Sequence, residues 1–254
     1  TRYKYWGDET CATDSLCAML CPVKVDTGKL VKEIRHEGHS AKAEEAAVKI
    51  ASNMDKVTAG MRASLNSVYL LRLLLGKRVF GSIASASRYL SGGTLPKWSE
   101  YLPKGAHKIV DREKAENKNF NKGDSSEELR KMVYFPSCIT RSMGVSQSYK
   151  DELEITRLTE KLLKKAGYQI IYPENLNKLC CGMAFSSKGY VKAGKKASDE
   201  LESALRKASD NGKYPILCDM SPCLYTMHNN MEGKLKLHEP AEFIKKYLIE
   251  RLTI

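Results

Sequence analysis

Across residues 26–90 apolar side chains recur at intervals of three and four: Leu30, Val31 and Ile34 in one run, Ala46, Ala47, Ile50, Met54, Val57 and Met61 in the next. That period stacks them on one side of a helix, so the region reads as a series of amphipathic helices. The aliphatic cluster Leu70, Leu71, Leu73, Leu74 and Leu75 is expected to pack those helices together, the alternative being an interaction face for another domain. Ser91-Gly92-Gly93 and Leu95-Pro96 break the pattern, and the stretch that follows to Glu128 is polar and charged, as in a linker.

From Met132 onward the period changes to short apolar runs alternating with helical ones. MVYFPSC, YQIIYP, YPILCDMSPC and KLKLHEP read as strands running into loops, and the segments between and after them read as helices, two with Gly167 and Gly212 as stops. Strands that alternate with helices imply a mostly parallel sheet. The predicted fold class is α+β overall, with an N-terminal cysteine motif and helical region ahead of an α/β domain. The predicted domains are 1–100, a polar linker over 101–130, and 131–254.

The 254 residues, 42% apolar and 28% charged, suit a folded globular protein of two units. The net charge of +12 comes from basic residues spread along solvated helix faces without interleaved aromatics, so no nucleic-acid partner is expected. Peripheral contact with a membrane stays open, because the apolar run at residues 68–75 is interrupted by Arg72 and is far too short to span one. The chain opens on Thr1 with no signal peptide in view and is expected to be a piece of a longer protein. The eight cysteines are clustered as Cys11, Cys17 and Cys21, then Cys138, then Cys180 and Cys181, then Cys218 and Cys223. Adjacent cysteines rarely bridge each other, so the reading is a reducing, cytoplasmic compartment with thiolates kept for metal.

Cys11-Ala-Thr-Asp14-Ser-Leu-Cys17-Ala-Met-Leu-Cys21-Pro22 has the spacing of the bacterial ferredoxin run, with aspartate in the second cysteine's slot. Cys11, Asp14, Cys17 and Cys21 are therefore candidate iron–sulfur ligands. In such runs the last cysteine serves a different cluster, so the set needs ligands from elsewhere in a parent chain. Asp14 has two readings of equal weight, an oxygen ligand and a turn or cap residue. For the cysteines zinc is the competitor.

The second constellation resembles the cysteine-rich CCG domain of heterodisulfide reductase, of the iron–sulfur subunits of glycolate oxidase and anaerobic glycerol-3-phosphate dehydrogenase, and of FAD-linked D-lactate dehydrogenases. The resemblance rests on a cysteine after the first strand, Cys138, on Cys180-Cys181-Gly182, and on a final cysteine pair. That pair departs from the pattern, since four residues separate Cys218 from Cys223. The metal ligands implied are Cys138, Cys181 and Cys223, with Cys180 next and Cys218 a buried strand residue. The stretch Gly7 to Gly28 is similar to the second ferredoxin half of fused FAD/iron–sulfur D-lactate dehydrogenases. The resemblance implies [4Fe-4S] clusters in the intact parent, an FAD domain upstream of Thr1, and a quinone, cytochrome or flavoprotein as electron acceptor. Zinc or a redox dithiol at the CCG site remain the alternatives. His36 and His39 lack the carboxylate of a zinc-protease motif, and His228 and His238 are expected to pack or face solvent.

Overall fold

The computed structural model describes residues 3–95, 97–109, 130–146, 149, 153–233 and 235–252. Most of the predicted linker lies outside the described residues. The chain divides into two compact units, each discontinuous in sequence: Thr1–Met54 with Arg130–Ser137 and Gln169–Ile254, and Asp55–Leu129 with Cys138–Tyr168.

The first unit is built on a sheet of strands β2 (Arg130–Phe135), β4 (Tyr168–Ile171), β5 (Ile216–Cys218) and β6 (Leu237–His238), in the order β4-β2-β5-β6. β2 pairs parallel with β5, Phe135 opposite Cys218, and β5 parallel with β6. Met132, Val133, Tyr134 and Phe135 are all buried, as are Ile216, Leu217 and Cys218. Continuous burial on both faces is the mark of an interior parallel sheet, and it explains why these segments read as unbroken apolar runs. The mixed α/β reading of the fold holds.

Two helices of this unit pack through small residues. The Val191–Ala208 helix buries Ala193, Ala197, Leu201 and Leu205, a stripe spaced by four. The Ala41–Ser52 helix buries Ala47 and Ala51, starts at Ser40, whose hydroxyl accepts the Ala43 N–H (3.2 Å), and offers Glu44 to the other helix. Glu44 Oε1 accepts the N–H of Lys192 at 2.7 Å, satisfying a donor that a helix start leaves without an internal partner. The Thr27–Glu37 helix is capped by Asp26, which accepts the Lys29 N–H at 3.1 Å. The Ser221–Asn230 helix follows β5 directly and has Pro222 in its first turn. It corrects the reading of Cys223 as a loop residue: the cysteine is helical and buried.

The second unit contains nearly all of the Met54–Leu90 helix, interrupted at Gly76, and an antiparallel pair of β1 (Pro103–Gly105) with β3 (Met143–Ser146). The helix contradicts the expectation that its leucines form the core. Leu70, Leu71, Leu73, Leu74 and Leu75 are exposed, Leu74 to 71%. The buried positions are Met54, Thr58, Arg62, Arg72 and Phe80. Arg62 Nη1 donates to the Arg141 carbonyl (3.2 Å), and Arg72 Nη1 donates to the Glu100 carbonyl (2.7 Å) beneath the Trp98 ring, which Phe80 meets edge-on. Arginine stems supply apolar area while the guanidinium finds backbone acceptors, so the face with the arginines turns inward. No helix among the described residues is long and apolar enough to cross a membrane.

Candidate functional site

The carboxyl ends of β2 and β5 lie side by side, and Asp219, the residue after β5, binds them together. Its carboxylate accepts the Ser137 N–H at 2.8 Å and the Tyr134 hydroxyl at 3.2 Å. Ser137 is buried, so Asp219→Ala deprives a buried N–H of its charged acceptor. The expected cost is about 1–3 kcal/mol, read as a lower urea midpoint at unchanged slope, with Asp219→Asn recovering part of it.

At this edge Cys181 is hydrogen-bonded to both Cys180 and Cys223, and all three are buried, at 3, 3 and 6% exposure. The turn that brings the pair inward depends on Gly182, which has φ +83. The Gly182 N–H donates to Cys180 Sγ at 3.4 Å. Cys218 ends β5, fully buried, and its thiol points to the Met220 carbonyl at 3.6 Å. Cys138 opens the short Cys138–Ser142 helix and belongs to the second unit.

The hydrogen bond with Cys180 pulls the Cys181 thiol's pKa down, but the hydrogen bond with Cys223, burial and the charge of a Cys223 thiolate push it up to about 12. The folded value lies above the ordinary 9.0, so the protonated thiol is the form the fold favours. Its stabilisation is complete below pH 9.0 and drains away as pH rises toward about 12, where the unfolded chain gains a thiolate that the fold resists. In the metal-free chain Cys181→Ser removes this component, up to ~4 kcal/mol from the size of the shift. The variant's stability is therefore expected to fall less than the wild type's between those two pH values in urea titrations.

The N-terminal run is held differently. Cys17 is exposed, its sulfur 3.1 Å from Thr27 Oγ1 at the start of the Thr27–Glu37 helix. The Thr27 hydroxyl and then the Gly28 N–H hold its thiol below the ordinary value. Cys11 Sγ accepts the Thr13 N–H at 3.4 Å, and Cys21 follows the short Leu16–Leu20 helix. Asp14 turns its carboxylate onto the Leu16 N–H (3.1 Å), the turn-residue role. Thr13 and Ser15 adopt left-handed backbone conformations, at φ 54 and 62. For a β-branched residue that is a strained state that surroundings must impose. Thr13 is also buried, with its hydroxyl unpartnered among the described residues.

Two hydrogen-bonded sets of soft donors, each with an N–H aimed at a cysteine sulfur, suit a thiolate-bound metal or cluster in chemistry. Among the described residues no three His, Cys, Asp or Glu side chains already converge as a metal cage. The fold favours the protonated Cys181 thiol, hydrogen-bonded to Cys180 and Cys223, and binding metal there requires it to lose its proton.

Sequence reasoning missed Asp219, Ser15, Tyr225 and Arg35. Arg35 left a trace, since it stands four residues after Val31 on the buried face of its helix. Asp219 left none beyond its place between Cys218 and Cys223. His36 and His39 bind backbone carbonyls, those of Gly189 (3.0 Å) and Lys188 (2.7 Å), and His238 meets Phe243 and Tyr247 edge-on.

Residues 132–228 match the cysteine-rich domain family CCG. Such domains are typical of the iron–sulfur electron-transfer subunits of oxidoreductases. No curated protein and no solved structure matches the chain.

Proposed function

We propose that the chain is the iron–sulfur electron-transfer portion of an FAD-linked oxidoreductase of the D-lactate (2-hydroxyacid) dehydrogenase type. It passes electrons from flavin toward a quinone, cytochrome or other acceptor. The observation that carries this reading is the buried thiol trio Cys180, Cys181 and Cys223 inside a matched CCG domain, accompanied in the same unit by a run with ferredoxin spacing. A bound cluster supplies a one-electron carrier.

The chain's own residues provide the setting for it. Cys11, Asp14 and Cys17 are proposed as ligands of one cluster, with Cys21 serving another, and Cys180, Cys181 and Cys223 as the ligands offered by the CCG edge of the first unit. The N–H groups of Thr13 and Gly182 offer hydrogen bonds to sulfur, which favour negative charge on the thiolates they face. Burial by the sheet edge keeps water from Cys180, Cys181 and Cys223. The exposed leucines of the Met54–Leu90 helix support a docking face for the rest of the oxidoreductase, the FAD domain upstream.

In the intact parent, Cys17→Ser is expected to leave flavin reduction by substrate nearly unchanged and to slow turnover with the acceptor by at least about tenfold, because oxygen is a poorer partner for this metal than thiolate. Stopped-flow flavin reduction measured beside steady-state turnover separates the two steps. Unchanged turnover after loss of the cluster would end the relay reading in favour of a zinc scaffold.

A further inference from the structure

Arg35 occupies a position where the apolar face of its helix calls for a hydrophobe, and its side chain is only 7% exposed. A guanidinium is a permanent cation with five donors in a planar fork, and burying one is costly unless those donors find acceptors. Nε meets the backbone carbonyl and the carboxylate of Asp8, at 3.1 and 3.2 Å. Nη2 donates to the Cys11 carbonyl at 3.0 Å and to that of Asp8, and Nη1 donates to the Ser187 carbonyl. One side chain thus joins the run that carries Cys11 to the loop that follows Cys180-Cys181-Gly182.

Neighbouring contacts fix the same juxtaposition. His36 and His39 hold the carbonyls of Gly189 and Lys188, and His39 stacks on Tyr190 with ring centroids 4.0 Å apart. Gly189 has φ +84, and a Cβ there would stand 2.6 Å from the His36 nitrogen, so the loop lies directly on the helix. On the helix that carries Cys223, Tyr225 lies beside Ser15, which also lies beside the Asp26 carboxylate and holds both groups below their ordinary pKa. Arg35 differs from these other ties in bringing a buried full charge to a cysteine's own carbonyl.

We infer that Arg35 is a positioning residue that seats the N-terminal cysteine run against the CCG loop and sets a fixed positive charge beside Cys11. The electrochemical part of this inference rests on the proposed function; the seating does not. A reduced cluster carries one more negative charge than its oxidised form, so a nearby cation favours reduction and a nearby carboxylate opposes it. Arg35 and Asp8, bonded to each other, therefore act on the potential with opposite signs.

The test uses redox-poised electron paramagnetic resonance of the intact parent, reading the cluster ligated by Cys11. Arg35→Gln is expected to move its midpoint to more negative potential, Asp8→Asn to more positive, and Arg35→Lys to stay nearer the wild type because the charge is kept. Shifts of the same sign in both neutral variants, or none in either, overturn the electrostatic role, since loosened structure alone has no reason to give opposite signs. Hydrogen exchange of this chain decides the seating. Arg35→Gln is expected to speed amide exchange in residues 8–14 and 186–190 together, on the order of tenfold. Faster exchange in only one segment, or in neither, overturns it. A parent without iron at Cys11 contradicts the proposed function, and the exchange result then decides the seating by itself.

Discussion

Alkylation of the metal-free chain by iodoacetamide at pH 8 modifies Cys17 well before Cys181. The thiolate is the reacting form, so rate follows the ionised fraction and access to it. Cys17 is exposed, and the Thr27 hydroxyl and Gly28 N–H favour its thiolate. Cys181 is buried and pushed up to about 12, so at pH 8 roughly one molecule in ten thousand is ionised there even before access is counted. Ionisation alone separates the two sites by more than about a thousandfold. Peptide mapping against time reads the order directly. Thr27→Val slows Cys17 by removing the hydroxyl while leaving Cys181 as it was. Equal rates at Cys17 and Cys181 in the folded chain would mean that the two sulfur environments are not those described.

Gly182→Ala unfolds the CCG turn or costs the protein a large share of its stability. The residue sits at φ +83, where a side chain is strained, and a Cβ would be driven onto the Gly194 carbonyl oxygen in the helix below. Backbone against backbone has no flexible end to give way. The strain and the collision together are expected to cost about 3 kcal/mol or more. Urea unfolding followed by far-ultraviolet circular dichroism measures it. The same variant is expected to make Cys180 and Cys181 accessible to thiol reagents, because Gly182 is the turn that holds both inside. A wild-type unfolding midpoint in this variant would contradict the described turn.

The central strands were legible because each is a short apolar run, such as Met132 to Phe135 and Ile216 to Cys218, and central parallel strands have no polar face to disguise them. The helix with Cys223 was hidden although Pro222 is a proper first-turn residue, since the cysteines drew the segment into a loop reading. The leucines at residues 70–75 mark the limit of periodicity. A helical stripe announces that a face is apolar but not whether this chain covers it, and here Arg62 and Arg72 take the inner side through backbone carbonyls. The β1 and β3 pair left no signal because Pro103–Gly105 has no alternation to detect. The cysteine constellations were readable from spacing. The groups that hold them were not, because Asp219, Arg35 and the Tyr225–Ser15 link are contacts between elements far apart in sequence.

The central claim is that Cys180, Cys181 and Cys223 are soft ligands kept for redox-active iron, and anaerobic reconstitution of the chain with ferrous iron and sulfide tests it most directly. The account predicts bound iron and sulfide with visible absorbance that bleaches on dithionite, and loss of that iron in the Cys181→Ser and Cys223→Ser variants while the fold persists. Colourless protein that takes up zinc in preference to iron, or iron uptake indifferent to both substitutions, would contradict it.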